Sequence, residues 1–498
     1  MGNLKLPKLF QSGMVLQRRT PACIWGTAPE GSLVVVSLAG YTAYAVAVDG
    51  SFRTYLPPME AGSGYTLSVS THGKTITMED VAVGEVWLAG GQSNMEFLLR
   101  DDAESAEEQA VDLPDVRCYE VPKIAYAGQE NDRDYSKVGV WRKARGAEAK
   151  YFTAVGYYFA KKLRSELGIP VGIINCTWGG TSASAYVSPD YLTGELQPYL
   201  DRATEAQAKL DPATELDRYR KLQYSMDNMP FDNSMSNLAP IKPDPAIMAS
   251  MAEMGELFLS RYSPFRPCGL YETMLEPTAP YTISGVIWYQ GESDAAYADT
   301  YELLMQQMIS CWRNLWKTEL PFLIVQLASF EEMMEPLDFV PIRAAQERLT
   351  KSCEKVWLAC AMDAGMRYDI HPKHKRPVGE RLALQSLSKV YGRAILADSP
   401  APEGVKREGD SLVLRFAHTG DGLTLHGETP ETLEVAADRT ALSEFYSSVC
   451  ENELRITAPE IANAKSVTVA FCQHPFCIDN IYNSAGLPML PFVYTLEA

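Results

Sequence analysis

Two textures of apolar and polar residues divide the chain. Up to about residue 80, short alternating runs such as Leu33–Leu38, Thr42–Ala47 and Tyr65–Ser70 stand between turn signals such as Asp49-Gly50, Gly62-Ser63-Gly64 and His72-Gly73. Alternation with period two, punctuated by glycine, predicts the short antiparallel strands of a small sandwich. From about Val81 the runs become continuously apolar, as expected for buried parallel strands. Five of them serve as strands: Glu85–Ala89, Val171–Asn175, Gly285–Tyr289, Phe322–Gln326 and Val356–Ala361. Segments of helical period lie between them, at Phe152–Leu167, Tyr297–Trp316, Ile342–Lys351 and Val378–Tyr391. Strands alternating with helices predict an α/β domain, a three-layer α/β/α arrangement around a five-stranded parallel sheet. Alternation returns after about Pro400, in Ser411–Phe416, Leu454–Ile456 and Ser466–Phe471, and predicts a second β-sandwich-like module.

The expected organisation is therefore an N-terminal β module over residues 1–80, an α/β domain over 81–399 and a C-terminal β module over 400–498. Residues 190–270 interrupt the strand–helix rhythm with a charged helix (Glu195–Asp217), a stretch rich in Met, Asn, Asp and Pro from Tyr224 to Pro245, and Met248, Met251 and Met254 at helical spacing. An insertion of this length without strands is expected to form a lid or a wall of a binding cleft, while the methionine stripe is expected to pack on the core.

Composition narrows the function. Hydrophobic residues are 46% and charged residues 22%, the mix of a globular chain. The formal charge of -18 argues against a nucleic-acid partner, whose phosphates demand clustered Lys and Arg. It also favours a neutral substrate over an anionic polymer. No run of about 18 apolar residues predicts a membrane span. The N-terminus, Met1–Pro7, lacks an apolar segment of signal-peptide length, so a cytoplasmic location is expected, or a secreted one if a leader has been removed. The ten cysteines are scattered with no pair at C-x-x-C spacing; Cys472, His474 and Cys477 make only three ligands, and reduced buried thiols are the expected state. The sequence leaves the oligomeric state open.

The candidate chemistry begins at Gly90-Gly91-Gln92-Ser93-Asn94-Met95-Glu96, where the first strand runs into a double glycine. Ligands of open α/β sheets bind at the carboxyl ends of strands, which places Ser93 where a nucleophile is useful; the alternative is a serine capping the following helix. A serine nucleophile needs a histidine base. Of the six histidines only His371 and His374 fall in the α/β region, both in the loop after the fifth strand. His371 is the better base, because Pro372 stiffens its loop and Asp369 lies two residues before it. Asp369 orients the imidazole only if the chain turns there, since residues two apart on an extended strand point out in parallel; Asp363 and Glu292 compete for that role. Two further strand ends offer oxyanion donors, Trp178-Gly179-Gly180-Thr181 and Trp288-Tyr289-Gln290-Gly291-Glu292. Gly409-Asp410-Ser411-Leu412 imitates a lipase motif, but it opens an alternating strand and reads as a turn. A G-x-S-x-G elbow is absent around Ser93.

The pieces Gly91-Gln92-Ser93-Asn94-Met95, Trp178-Gly179-Gly180-Thr181, Trp288-Tyr289-Gln290-Gly291-Glu292 and Asp369-Ile370-His371-Pro372 resemble the sialate O-acetylesterase family of SGNH hydrolases. The likeness extends to Leu6–Phe10, Met14–Arg18 and Trp25-Gly26 near the start and to Tyr482–Pro488 near the end. The resemblance implies an SGNH (flavodoxin-like) domain and hydrolysis of acetyl esters on sugars without metal or cofactor. It makes Ser93 the nucleophile, His371 the general base, and the Ser93 backbone, a glycine of the Gly179-Gly180 pair and Gln290 the oxyanion donors, with Glu292 supporting the site. Many SGNH enzymes carry their triad acid three residues before the histidine; that position is Tyr368 here, so Asp369 is the nearest acid. The substrate class implied is an acetylated carbohydrate, either of hemicellulose type or an O-acetylated sialic acid; Trp178, Tyr186 and Tyr271 are candidates to stack on sugar rings, although core packing is the expected role of any one of them. Two other classes stay open on residues alone: a glycoside hydrolase using Glu96 and Glu292 as paired carboxylates, and a non-catalytic sugar-binding protein.

Overall fold

A computed structural model describes residues 3–131, 138–227, 255–331 and 337–497. The chain divides into two compact units, residues 1–293 with 303–322, and residues 294–302 with 323–498.

The first unit begins with strands β1 (Val15–Gln17), β2 (Ala22–Thr27), β3 (Leu33–Leu38), β4 (Tyr41–Val46), β5 (Ser51–Leu56) and β6 (Gly62–Thr71), followed by β7 (Lys74–Gly91). β2 pairs with β5, while β3 pairs with β4 and β6. Every second residue of β5 is buried, which is the signature of a strand with one face on a core. β7 continues for 18 residues. Its first half pairs antiparallel with β6, and β1 runs parallel to it at Ala82–Gly84. Its second half is the centre of the α/β sheet, between β10 (Val171–Thr177) and β11 (Gly285–Tyr289), both parallel to it. The position expected to separate two domains, residues 80 and 81, thus falls inside one strand.

The sheet of this unit runs β11-β7-β10-β8-β9, with β8 (Asp112–Glu120) and β9 (Trp141–Arg145) at its far side. β8 is parallel to β10, and β9 is antiparallel to β8. All five expected strands form, but the sheet is mixed rather than purely parallel. β8 escapes a search for apolar runs because Asp112, Pro114, Asp115 and Arg117 break it, and its burial is continuous only from Val116 to Tyr119. By contrast, all seven residues of β10 are buried, as a parallel interior strand requires.

The helix Ala154–Leu167 packs on β8 and β10. Thr153 caps it by accepting from the Gly156 N–H at 3.2 Å, and it ends at Gly168 in the left-handed region. Phe159 on this helix meets Trp87 of β7 edge-on, with ring centroids 5.2 Å apart. The charged segment expected as one helix is two, Gln197–Ala208 and Glu215–Asp227, broken where Asp211 accepts from the Ala213, Thr214 and Glu215 N–H groups ahead of the second helix. The methionine stripe and most of Tyr224–Pro245 lie outside the described residues.

In the second unit, β12 (Phe322–Gln326) neighbours β13 (Val356–Cys360). The helices Val340–Ser352 and Arg376–Gln385 pack on β13. The C-terminal strands form two four-stranded antiparallel sheets, one containing Ser411–Ala417 and Glu453–Thr457, the other Leu433–Ala437 and Ser466–Phe471. Their shared core takes in Cys360 and Met362 from the end of β13. Among the described residues, no helix is long and apolar enough to cross a membrane.

Where β7 passes from the module to the sheet, the buried Glu85 carboxylate accepts from Gln17 Nε2 at 3.0 Å, from Arg18 Nε at 2.5 Å and from the Ser284 hydroxyl. Arg18 and Glu85 keep only 13% and 4% of their side-chain surface. Removing the acid strands a nearly dry cation. Glu85→Ala is therefore expected to lose about 3–5 kcal/mol in urea unfolding; a change within about 0.5 kcal/mol, the range of surface substitutions, would contradict this.

Candidate active site

The carboxyl ends of three adjacent strands are level. Gly91 of β7 is in register with Thr177 of β10 on one side and with Tyr289 of β11 on the other. The three loops that leave these positions carry Ser93, Gly179 with Gly180, and Gln290 with Glu292, so the strand-end placement expected for a ligand site is realised in this unit.

Gly91 makes the first turn. Its φ is +129°, and a Cβ there would lie 2.1 Å from the Tyr289 carbonyl oxygen. Only glycine fits such a backbone and such an approach. The chain then folds over the end of β11, with the Gln92 N–H donating to that same Tyr289 oxygen at 3.1 Å. A single helical turn follows, Ser93–Glu96. Its N-cap is Gln92, whose side chain makes no capping bond within the turn. Ser93 is accordingly not a cap, and its N–H has no acceptor within the turn.

Neighbouring side chains fix this turn from several directions. Gln92 Oε1 accepts from the Ser293 N–H at 3.2 Å, joining the first loop to the third. Asn94 Nδ2 donates to Glu292 Oε1 at 2.6 Å, both residues being buried. Thr153 Oγ1 donates to the Met95 carbonyl at 2.5 Å, so the cap of the Ala154–Leu167 helix also holds the back of the serine turn. Glu96 reaches forward: its Oε2 accepts from the Gly179 N–H at 2.6 Å, and Lys123 pairs with its other oxygen.

The second loop lies directly against the serine. A Cβ placed on Gly179 would sit 3.4 Å from Ser93 Cβ and 3.5 Å from Glu96 Oε2. The Trp178 N–H donates to the Gly91 carbonyl at 3.2 Å, and the Thr181 hydroxyl closes the loop on the Trp178 carbonyl at 2.7 Å. Gln290, fully buried, donates through Nε2 to the Thr181 carbonyl at 3.2 Å.

Tyr186, a candidate for stacking on sugar, is fully buried, with its hydroxyl donating to the Gly91 carbonyl at 3.0 Å and its ring edge-on to Trp288. Burial pushes its phenol well above the ordinary range, so it stays a neutral donor beneath the serine turn and does not meet substrate. Trp178 and Tyr271 are half-buried. Trp178 borders a small cluster of Ala125, Tyr126 and Tyr219, and Lys123 lies 5.6 Å from its ring centroid. Tyr219 belongs to the helix Glu215–Asp227, so the described part of the insertion packs next to the Trp178 loop. Cys176 is in register with Gly90, but burial pushes its thiol up to about 12, leaving it protonated and inert.

In the second unit, His371 is half-buried on a loop closed by the Met366–Asp369 bridge. Asp369 Oδ1 accepts from the His371 N–H at 2.9 Å. The aspartate thereby bends the chain and braces the backbone of the histidine that follows. Asp363, the rival acid of this unit, is bound bidentately by Arg381 at 2.6 and 2.7 Å. His374 is exposed. The lipase-like Gly409–Leu412 is a hairpin turn, and the Ser411 hydroxyl bonds across the sheet to Thr457 at 2.8 Å.

Spacing did not single out Lys123 or Thr153 as site residues. Lys123 follows the unrecognised strand β8, and Thr153 lies inside the segment Phe152–Leu167 expected as helix, with nothing in the sequence to mark it. Glu96 was visible but was considered only as half of a glycosidase pair.

Comparison with known proteins agrees with this geometry. A family model described as carbohydrate esterase, sialic acid-specific acetylesterase, matches residues 228–388. The sialate O-acetylesterase of Mus musculus is 26% identical over 447 residues, covering 81% of this chain and 77% of the mouse protein. That of Homo sapiens is 26% identical over 436 residues, covering 80% of this chain and 73% of its own. A carbohydrate acetylesterase of known structure from Xanthomonas citri is 29% identical, with 99% of each chain covered and a TM-score of 0.76.

The Gly91 turn carries a direct test. Gly91→Ala forces a side chain into a carbonyl and a strained φ, costing at least about 1–3 kcal/mol. The variant is expected to unfold at lower urea and to lose esterase activity together; an active variant of unchanged stability would contradict the geometry. On its motifs, its architecture and these relatives, the chain is a carbohydrate esterase, a carboxylic-ester hydrolase, similar to the sialic acid-specific acetylesterases.

Proposed function

We propose that the chain is a serine esterase that removes O-acetyl groups from carbohydrates through an acetyl-enzyme on Ser93. The observation that carries this reading is the serine turn itself. Ser93 stands at the carboxyl end of the central strand without a capping role, and Gly179 lies so near that a Cβ there would meet Ser93 Cβ at 3.4 Å. An SGNH-type α/β/α arrangement is part of the same proposal.

In the proposed reaction His371 takes the Ser93 hydroxyl proton as Oγ attacks the acetyl carbonyl, and that proton is later passed to the departing sugar oxygen, which leaves as a hydroxyl. The negative charge that develops on the carbonyl oxygen needs donors already in place. The Ser93 N–H, the Gly180 N–H and the Gln290 amide are proposed for this, since the Gly179 N–H is engaged by Glu96. The imidazolium then protonates the departing sugar oxygen as the ester C–O bond breaks. Water, deprotonated by the same imidazole, attacks the acetyl-enzyme, and acetate leaves as the Ser93 hydroxyl is restored. Asp369 is proposed as the residue that sets the His371 loop, on the strength of its bond to the His371 backbone. Glu292 acts as a support, holding Asn94 next to the nucleophile.

The substrate proposed is an acetylated sugar. The mouse and human relatives are named for sialate, and the Xanthomonas citri protein for carbohydrate in general. The chain's own charge of -18 favours a neutral acetylated oligosaccharide over an anionic one. A glycosidase built on Glu96 and Glu292 is disfavoured, because Lys123 and the Gly179 N–H hold the first and Asn94 the second.

Acetate release from p-nitrophenyl acetate and from acetylated xylo-, manno- and sialyl-oligosaccharides tests the reading. Ser93→Ala is expected to reduce kcat by about 10⁴-fold or more. Unchanged release by that variant, or no release from any substrate by the wild type, would overturn it. An imidazole base further predicts that kcat/KM falls at acid pH, where a protonated imidazole cannot accept the Ser93 proton. A flat profile from about pH 5 to 9 would contradict a histidine base.

A further inference from the structure

Glu96 is a charged side chain of the serine turn for which the proposed chemistry provides no step. It sits three residues after Ser93 on one helical turn, and positions i and i+3 share a face. That face is the one turned toward Gly179, whose Cβ direction meets both Ser93 Cβ and Glu96 Oε2. The carboxylate is divided between two donors, with Oε2 accepting from the Gly179 N–H at 2.6 Å and the other oxygen pairing with Lys123.

Gly179 itself has no side chain with which to anchor the loop. Its neighbours are tied elsewhere: Trp178 to the Gly91 carbonyl, and Thr181 to the Trp178 carbonyl and the Gln290 amide. The bond to Glu96 is the polar tether that joins Gly179 to the serine turn. A hydrogen bond to an ionised acceptor is about twice as strong as a neutral one, and Lys123 holds that acceptor in place from the opposite side.

We propose that Glu96 is a positioning residue of the esterase site: by holding the Gly179 N–H it sets the distance between the Trp178–Thr181 loop and Ser93, and hence where the Gly180 N–H meets the developing oxyanion. This rests on the reading of Ser93 as nucleophile. Glu96 does not touch the reacting atoms and transfers no proton. Its effect belongs to kcat, because misplacing a transition-state donor leaves substrate binding largely intact.

Kinetics with an acetylated oligosaccharide, run beside Ser93→Ala, test the proposal. Glu96→Ala and Glu96→Leu remove the acceptor without and with comparable side-chain volume. Each is expected to lower kcat by about 10- to 100-fold with KM nearly unchanged, the scale of a small misplacement near reacting groups. Glu96→Gln keeps a carbonyl oxygen for the Gly179 N–H and is expected to recover most of kcat. Glu96 is partly exposed, so the thermal midpoint is expected to move little in any of them. An inactive Ser93→Ala with wild-type or raised kcat in Glu96→Ala or Glu96→Leu would overturn the positioning role alone; a raised kcat would mean that the carboxylate obstructs the donor. Failure of Glu96→Gln to recover, or a loss confined to KM, would overturn it as well. A fully active Ser93→Ala would instead overturn the nucleophile on which it rests.

Discussion

The Tyr289 carbonyl lies so close to Gly91 that no side chain can stand between them. That contact ends an 18-residue strand whose first half is an edge of the N-terminal module and whose second half is the centre of the α/β sheet. Because the strand is continuous, the module and the sheet cannot slide past one another without breaking both ladders. The Glu85 cluster locks the crossing point with three donors on one buried acid. The serine turn inherits this rigidity: Gln92 donates to the carbonyl that excludes a side chain at Gly91, and Tyr186 and Trp178 donate to the Gly91 carbonyl itself.

Everything else near Ser93 braces a backbone shape. Asn94 with Glu292 and Gln92 with Ser293 join the serine turn to the loop after β11, Thr153 with Met95 joins it to the Ala154–Leu167 helix, and Glu96 with Gly179 joins it to the loop after β10. Preorganisation of this kind is what acyl transfer requires, since donors aimed at a developing oxyanion act only if they need not move. The second unit shows the same economy. Asp369 spends a carboxylate oxygen on the His371 backbone, and Arg381 grips both carboxylate oxygens of Asp363.

Much of this was legible in the sequence, for reasons that can be named. Buried parallel strands need continuous apolar runs, so β7, β10 and β11 declared themselves, and with them the loops that carry Ser93, Gly179 and Gln290. Scarcity of histidine left His371 and His374 as candidates, and alternation exposed Ser411 as part of a hairpin. What stayed hidden was long-range or masked by composition. β8 carries a proline and three charges in its first six residues, and it stabilises itself by pairing rather than by pattern. The tether from Glu96 to Gly179 spans 83 positions and involves a backbone N–H, which no side-chain motif announces. Tyr186 is packed in the core, the role expected of any one of the candidate aromatics, while its bond to the Gly91 carbonyl is a long-range contact that sequence does not reveal.

The central claim is that acetyl passes through Ser93 with His371 as the base. Rapid acid quenching of the enzyme turning over an acetylated oligosaccharide, followed by peptide mass spectrometry, tests it most directly. The account predicts an acetyl group on the peptide that contains Ser93, absent from Ser93→Ala and strongly reduced in its rate of formation in His371→Ala. Turnover with no acetyl on that peptide, or with acetyl accumulating on another residue, would contradict it.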